Sequence, residues 1–220
     1  MSALTQLKAE ITSCRRCPRL VEWRERVARE KKAAHTDEEY WGRPIAGFGD
    51  QDATVVVFGL APAAHGANRT GRFFTGDRSG DFLFGSLYRT GYSNTPVSRH
   101  ANDGLRLQGL WISAAVRCAP PKNKPTPAER DQCLPYATRE LNLLSPKVLV
   151  CLGAFAWDCA LRLYGIRPKP KFAHGAELPI PSGPVLLGSY HPSQQNTFTG
   201  VLTSPMLDAV LLRARELTER

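Results

Sequence analysis

Four short apolar runs, at residues 54–60, 110–116, 147–152 and 185–190, recur along the chain, and each is followed by a stretch with helical spacing. Runs that are apolar throughout suit strands buried on both faces of a parallel sheet. The helical stretches fall at residues 79–90, within 127–144, at 154–164 and at 205–218. Their beginnings are chemically marked. Thr126-Pro127-Ala128-Glu129 combines a capping threonine, a proline in the first turn and a glutamate at the box position, while Ser204-Pro205 repeats the cap and proline. Pro135 lacks an N–H inside the second stretch, which predicts a split into turn and helix, or a kink. Upstream, Leu20, Trp23, Val27 and Ala28 predict an amphipathic helix over 19–34, preceded by a shorter one over 4–12. Strands alternating with helices predict an α/β fold: one domain over residues 1–220 with a central four-stranded parallel sheet flanked by helices.

In such sheets ligands bind outside the carboxyl ends of the strands. The glycine-, proline- and polar-rich segments of this chain lie there, at 59–80, 117–127 and 190–200, so three loops are expected to converge on one crevice. Lys and Arg number 29 against 20 Asp and Glu, a formal +9, which favours a polyanionic partner without naming it. The cations fall in several patches, among them 24–32, where Glu22, Glu25 and Glu30 are interleaved at pairing distance, and Arg167, Lys169 and Lys171. The N-terminal stretch has no apolar core of a secretory signal, and no run approaches the roughly 18 apolar residues that span a bilayer. The expectation is a soluble, cytoplasmic protein without a membrane partner.

Six cysteines in a reducing compartment need a use other than disulfides. Cys14-Arg15-Arg16-Cys17 is a C-x2-C pair, and Cys118 and Cys133 form a second pair with fourteen residues between them. A C-x2-C turn offers two thiolates to one metal centre, and the prolines flanking each pair stiffen the loops. A four-thiolate centre tying the N-terminal helices (residues 1–40) to the core is the expectation, and spacing alone leaves zinc and a [4Fe–4S] cluster both open. Cys151, inside a strand, and Cys159, in a helical apolar pattern, read as packing residues.

The first loop runs Gly59-Leu60-Ala61-Pro62-Ala63-Ala64-His65-Gly66 and continues through Phe73-Phe74-Thr75-Gly76-Asp77. Its glycines allow close backbone approach to a ligand, but no Gly-Lys-Ser/Thr closes it, so it is not a nucleotide P-loop. Together with Arg117-Cys118-Ala119-Pro120-Pro121-Lys122-Asn123-Lys124-Pro125, with His191-Pro192-Ser193-Gln194-Gln195-Asn196 and with the four cysteines, it resembles the uracil-DNA glycosylase superfamily, most closely its family 5, the iron–sulfur-containing B type.

That resemblance implies a uracil-DNA glycosylase-like fold, a [4Fe–4S] cluster on Cys14, Cys17, Cys118 and Cys133, and a monomeric, nucleoid-associated repair enzyme. Its DNA partner would carry uracil or other deaminated bases. The first motif here, Ala61-Pro62-Ala63-Ala64-His65, has no carboxylate to activate water, and the family-5 pattern points instead to Asp77. Asp81 belongs to the first turn of the next helix, where its charge suits the dipole. Excision leaves positive charge on the sugar and negative charge on the base, and the base must first leave the stack. The expected roles are stacking on the flipped base by Phe74, positioning or activation of water by Asp77, a hydrogen bond from Asn123 to either the water or the base, and a hydrogen bond from His191 to the charged base oxygen. Gly59, Leu60, Ala61 and Pro62 would contact the base. Leu60 stands where a polar residue could discriminate among bases, so hypoxanthine and xanthine are expected substrates beside uracil.

Arg69, Arg72, Lys122 and Lys124 are expected to hold phosphates, and Gln194, Gln195 and Asn196 to enter the groove or fill the gap left by the base. No motif-placed lysine nucleophile appears, which predicts a monofunctional enzyme leaving an abasic site. The rival is a non-catalytic nucleic-acid-binding protein braced by its metal centre. A metal-dependent hydrolase is disfavoured because the five histidines lie singly, without an HxH or HExxH cluster.

Overall fold

The computed structural model describes residues 2–219. One sheet of six strands runs through it: β1 (Phe48–Gly49), β2 (Val55–Gly59), β3 (Leu110–Ala114), β4 (Val148–Leu152), β5 (Glu177–Pro179) and β6 (Val185–Ser189), in the spatial order β1-β3-β2-β4-β6-β5. The four apolar runs of the sequence form the parallel centre, with Val55 beside both Leu110 and Val148, and Val148 beside Val185. The expected four strands are thus completed by two edge strands, each antiparallel to its neighbour. Two or three residues carry too little periodicity to announce a strand, and such short, half-exposed strands are a common way to close a sheet edge.

Alternation along β2 divides the core. Val55 and Val57 face α4 (Arg78–Arg89) and α8 (Ser204–Thr218), where they meet Leu83, Phe84, Leu87, Leu207 and Leu211. Val56 and Phe58 face α5 (Pro127–Leu144) and α6 (Ala154–Leu163), packing with Leu134, Leu141, Trp157 and the buried Cys151 and Cys159. Helices on both faces explain why every residue of β2, β3 and β4 is buried.

The helix starting at Thr126 has the reciprocal cap read from the sequence: Glu129 N donates to Thr126 Oγ1 (3.2 Å) and Thr126 N donates to the Glu129 carboxylate (2.7 Å). Of the two outcomes expected at Pro135, the split does not occur: α5 runs through it from Pro127 to Leu144. Pro135 lies on the solvent face, so the carbonyl it deprives of a partner can bond water, while Leu134, Tyr136, Ala137 and Leu141 bury the opposite face. Glu140 of the same helix meets Arg117 in a fully buried ion pair (2.6 Å) that also takes Ser113 Oγ. The N-terminal helices α1 (Ala3–Thr12) and α2 (Pro18–Glu30) pack on α5 and on α3 (Ala67–Thr70) respectively. The second ends at Glu30, four residues before the predicted limit, where Lys31 turns to positive φ (56°). No helix among the described residues is long and apolar enough to cross a membrane.

Candidate active site

At the carboxyl edge of the sheet, the segments after β2, β3 and β6 enclose a cavity of about 520 Å³. Gly59, Leu60, Ala61, Pro62, Phe74, Asp77, Asn123, His191, Gln194 and Gln195 all line it, so residues up to 136 positions apart in sequence come together, from Gly59 to Gln195. Arg78, Ser79, Ala63 and Ser193 also line it and were given no role at the site from the sequence. The first two directly follow Asp77, and Ser193 caps α7 (Gln194–Phe198), so proximity to a motif residue was the available signal.

Phe74 and Phe73 divide between ligand and core. Phe73 is 1% exposed among the β-sheet aliphatics, while the half-buried Phe74 faces the cavity with its ring centroid 5.9 Å from that of His191. Phe74 holds φ at 51°, a left-handed conformation that costs an ordinary residue about 1–2 kcal/mol. That backbone turn lays the ring against the end of β2: a side chain at Gly59 would press on it, with a Cβ 3.2 Å from the ring. Strain held by such packing is a feature of ligand clamps.

Asp77 is the N-cap of α4, and its Oδ1 accepts from Gly80 N at 2.9 Å. Its Oδ2 lies in the space a Cβ at Gly66 would occupy, which is why glycine is required there. Burial pushes the Asp77 carboxyl above its ordinary range, and the Asp81 charge adds to this; the helix-end N–H groups oppose it without cancelling it. His191 is also desolvated, which lowers its pKa to about 4. Its imidazole is therefore neutral at physiological pH, a hydrogen-bond donor through one ring nitrogen. Asn123 follows Lys122, both at positive φ (55° and 54°), and this tight turn in the loop after β3 accompanies the placing of Asn123 in the cavity lining.

Lys122 and Lys124 are exposed beside that turn, and Gln194 and Gln195 are on the opposite rim. Three other expected DNA contacts are turned inward. Arg69 is 8% exposed, paired with Glu38 and donating to Gly76 O; Arg72 is 6% exposed, bound to Asp103 (2.6 Å) and Ser98 Oγ (2.6 Å). Their guanidiniums brace the loop that carries Phe74 and Asp77, and reaching a phosphate would strip them from their carboxylate partners. Asn196 Nδ2 donates to His191 O (2.8 Å) while its N–H is held by Ser193 Oγ, so it fixes the histidine loop.

Cys14, Cys17, Cys118 and Cys133 line one small cavity between α2, the loop after β3 and α5. Among the described residues, no group of three or more His, Cys, Asp or Glu side chains is arranged to hold a metal ion. The charge around the thiols is nevertheless unusual. Arg24, 2% exposed, donates to Cys118 Sγ (3.0 Å) and to Cys14 O (3.2 Å), and its Nε has no partner among the described residues. Its carboxylate neighbour, Glu25 at 3.8 Å, is already bonded by Arg15. A buried guanidinium without a committed acid needs negative charge nearby, and thiolates holding a metal would supply it. The donor set and its counter-charge therefore fit a tetrathiolate centre.

The segments that build this cavity lie within residues 46–214, which the family model for the uracil DNA glycosylase superfamily matches, and the chain belongs to that superfamily. Within it, the type-5 uracil-DNA glycosylase of Mycobacterium tuberculosis is 54% identical over 98% of this chain and 82% of its own length. The type-5 enzyme of Thermus thermophilus is 52% identical over 94% of both chains. A type-4 relative from Archaeoglobus fulgidus falls to 29% over 76% of this chain and 67% of its own, so the chain groups with the type-5 branch.

Proposed function

We propose that the protein is a monofunctional uracil-DNA glycosylase of DNA repair, which hydrolyses the N-glycosidic bond of a flipped deoxyuridine and leaves an abasic site. The observation that carries this reading is the single cavity shared by Phe74, Asp77, Asn123 and His191 from three separate loops. The type-5 names of its relatives agree with it.

In the proposed reaction the C1′–N1 bond breaks and its electron pair leaves with uracil, while a water oxygen bonds to C1′. Asp77, whose carboxyl is held up by burial, accepts the water proton and faces the cationic sugar. Neutral His191 donates an N–H to the base oxygen on which negative charge gathers, with no imidazolium required. Phe74 stacks on the base, and Asn123 orients water or base at the mouth. The walls at Leu60, Ala61, Pro62 and Ala63 carry no polar side chain, so a larger deaminated purine would leave few buried groups unpaired. Hypoxanthine and xanthine are accordingly proposed as further substrates. Exposed Lys122 and Lys124 would hold phosphates, and Gln194 and Gln195 would enter the groove.

We also infer that Cys14, Cys17, Cys118 and Cys133 hold a [4Fe–4S] cluster that braces the N-terminal helices against the cavity rim, with Arg24 balancing its charge. When bound, such a cluster supplies a rigid anionic cross-link. A brown preparation with broad visible absorption supports iron; a colourless anaerobic one with stoichiometric zinc overturns it.

Incubation with uracil-, hypoxanthine- and xanthine-containing duplexes at low salt, measuring free base, tests the enzymatic reading. Binding without release from any of them would favour the non-catalytic, metal-braced DNA-binding alternative. Release by Asp77→Ala and His191→Ala at the rate of the unaltered protein would remove these residues from the reaction.

A further inference from the structure

Between α6 and β5, at the sheet edge beyond β6, the chain passes through Arg167-Pro168-Lys169-Pro170-Lys171, five consecutive exposed residues with three cations. None of these cations forms an ion pair among the described residues; Asp131 is taken by Arg130 and Arg162, and Glu177 by Arg213. A cationic cluster of this kind on a floppy loop would be ordinary solvated surface. This one is docked.

Trp157 Nε1 donates to Pro170 O at 3.0 Å, and the Phe172 ring sits edge-on between Trp157 and Tyr190 (6.3 and 6.1 Å between centroids). Gly175 N donates to Gly188 O, and Gly188 N to Ala176 O, each at 2.8 Å. His174 accepts from Tyr190 N (3.2 Å) and stacks on its ring, and the next residue, His191, lines the cavity. The two prolines limit the freedom the segment would otherwise lose on being held. Mutually repelling cations are thus fixed to the frame that carries the cavity.

The inward commitment of Arg69 and Arg72 leaves exposed lysines of the expected DNA contacts on one flank only, Lys122 and Lys124 after β3. From β3 to β5 the sheet order counts four strand spacings, about 19 Å, which covers roughly five to six nucleotide steps of one DNA strand. We propose that Arg167, Lys169 and Lys171 form a phosphate-binding rail, which holds the DNA backbone on the flank of the cavity opposite Lys122 and Lys124. The inference rests on reading the protein as a DNA glycosylase.

The test compares the unaltered protein with a triple variant, Arg167→Gln with Lys169→Gln and Lys171→Gln. Binding to a fluorescent duplex carrying an abasic-site analogue is followed by anisotropy between 50 and 200 mM salt, alongside base release from the uracil duplex. Each lost phosphate contact lowers the slope of log affinity against log salt by about 0.9, so three lower it by about 2.7 and remove roughly 40-fold of the salt-driven change over that range. Lys147→Gln, at the opposite end of β4 with its ammonium on Thr218 O, is the control for net charge and keeps the original slope. An unchanged slope in the triple variant, with base release intact in the unaltered protein, overturns the rail alone. The same loss per removed charge in Lys147→Gln, about 0.9 in slope, overturns it too, since net charge then explains the effect. Absence of both binding and release in the unaltered protein overturns the glycosylase reading and the rail with it.

Discussion

Asp77 holds two positions at once, and isosteric and truncating substitutions separate them. As N-cap it accepts from Gly80 N at 2.9 Å; as a desolvated carboxylate its pKa is raised, chiefly by burial. Asp77→Asn keeps an oxygen for the cap and removes the charge, whereas Asp77→Ala removes both. Loss of a cap costs about 1 kcal/mol, which for a domain of this size is about 2–4 °C in melting temperature. The asparagine variant is therefore expected to melt about 2–4 °C above the alanine variant, and no lower than the unaltered protein at pH 7. The sign follows from linkage. A carboxyl with a raised folded-state pKa binds its proton more tightly when folded, so ionisation at neutral pH costs stability, and that cost vanishes as pH falls below the unfolded value near 3.8. The advantage of Asp77→Asn over the unaltered protein should accordingly be full at neutral pH and absent in acid, while its margin over Asp77→Ala does not depend on this ionisation. In single-turnover excision from uracil duplex, both variants should lose roughly 10²–10⁴ in rate, the usual worth of a general base. An asparagine variant within tenfold of the original rate, or one melting below the alanine variant, would refute the assignment.

Other predictions follow from the same geometry. The acid limb of the single-turnover rate should fall at a pH above the ordinary carboxylate range, reporting Asp77, and should persist in His191→Ala, because His191 stays neutral down to about pH 4. Glu140→Gln leaves the Arg117 charge buried without its counter-ion and should cost about 3–5 kcal/mol, measured by denaturant unfolding. Arg72→Gln should lower the melting temperature while leaving the salt slope of DNA binding unchanged, since its guanidinium serves Asp103 and Ser98. On the proposal that the four cysteines hold a [4Fe–4S] cluster, Arg24→Gln should hasten loss of its visible absorption band in air, because it weakens the hydrogen bond to Cys118 Sγ and removes the counter-charge.

Patterning that repeats over many residues was legible without coordinates. The parallel centre of the sheet and the capping box at Thr126 are local consequences of side-chain order, and they match the sequence reading. The two edge strands, and the continuation of α5 through Pro135, were not legible: both depend on what lies beside the segment, and Pro135 is tolerated because that face is wet.

The same division runs through the site. Loop positions at strand ends, together with the resemblance to a known family whose pattern points to Asp77, nominated Phe74, Asp77, Asn123 and His191. Which arginines were free to meet DNA was decided by folding. Arg69, Arg72, Lys122 and Arg167 are all cations outside the sheet, and only packing determines that the first two are enclosed with carboxylates while the others remain in water. Burial and pairing are properties of neighbours distant in sequence, and so are the pKa shifts of Asp77 and His191, which desolvation imposes only once three loops have closed around them.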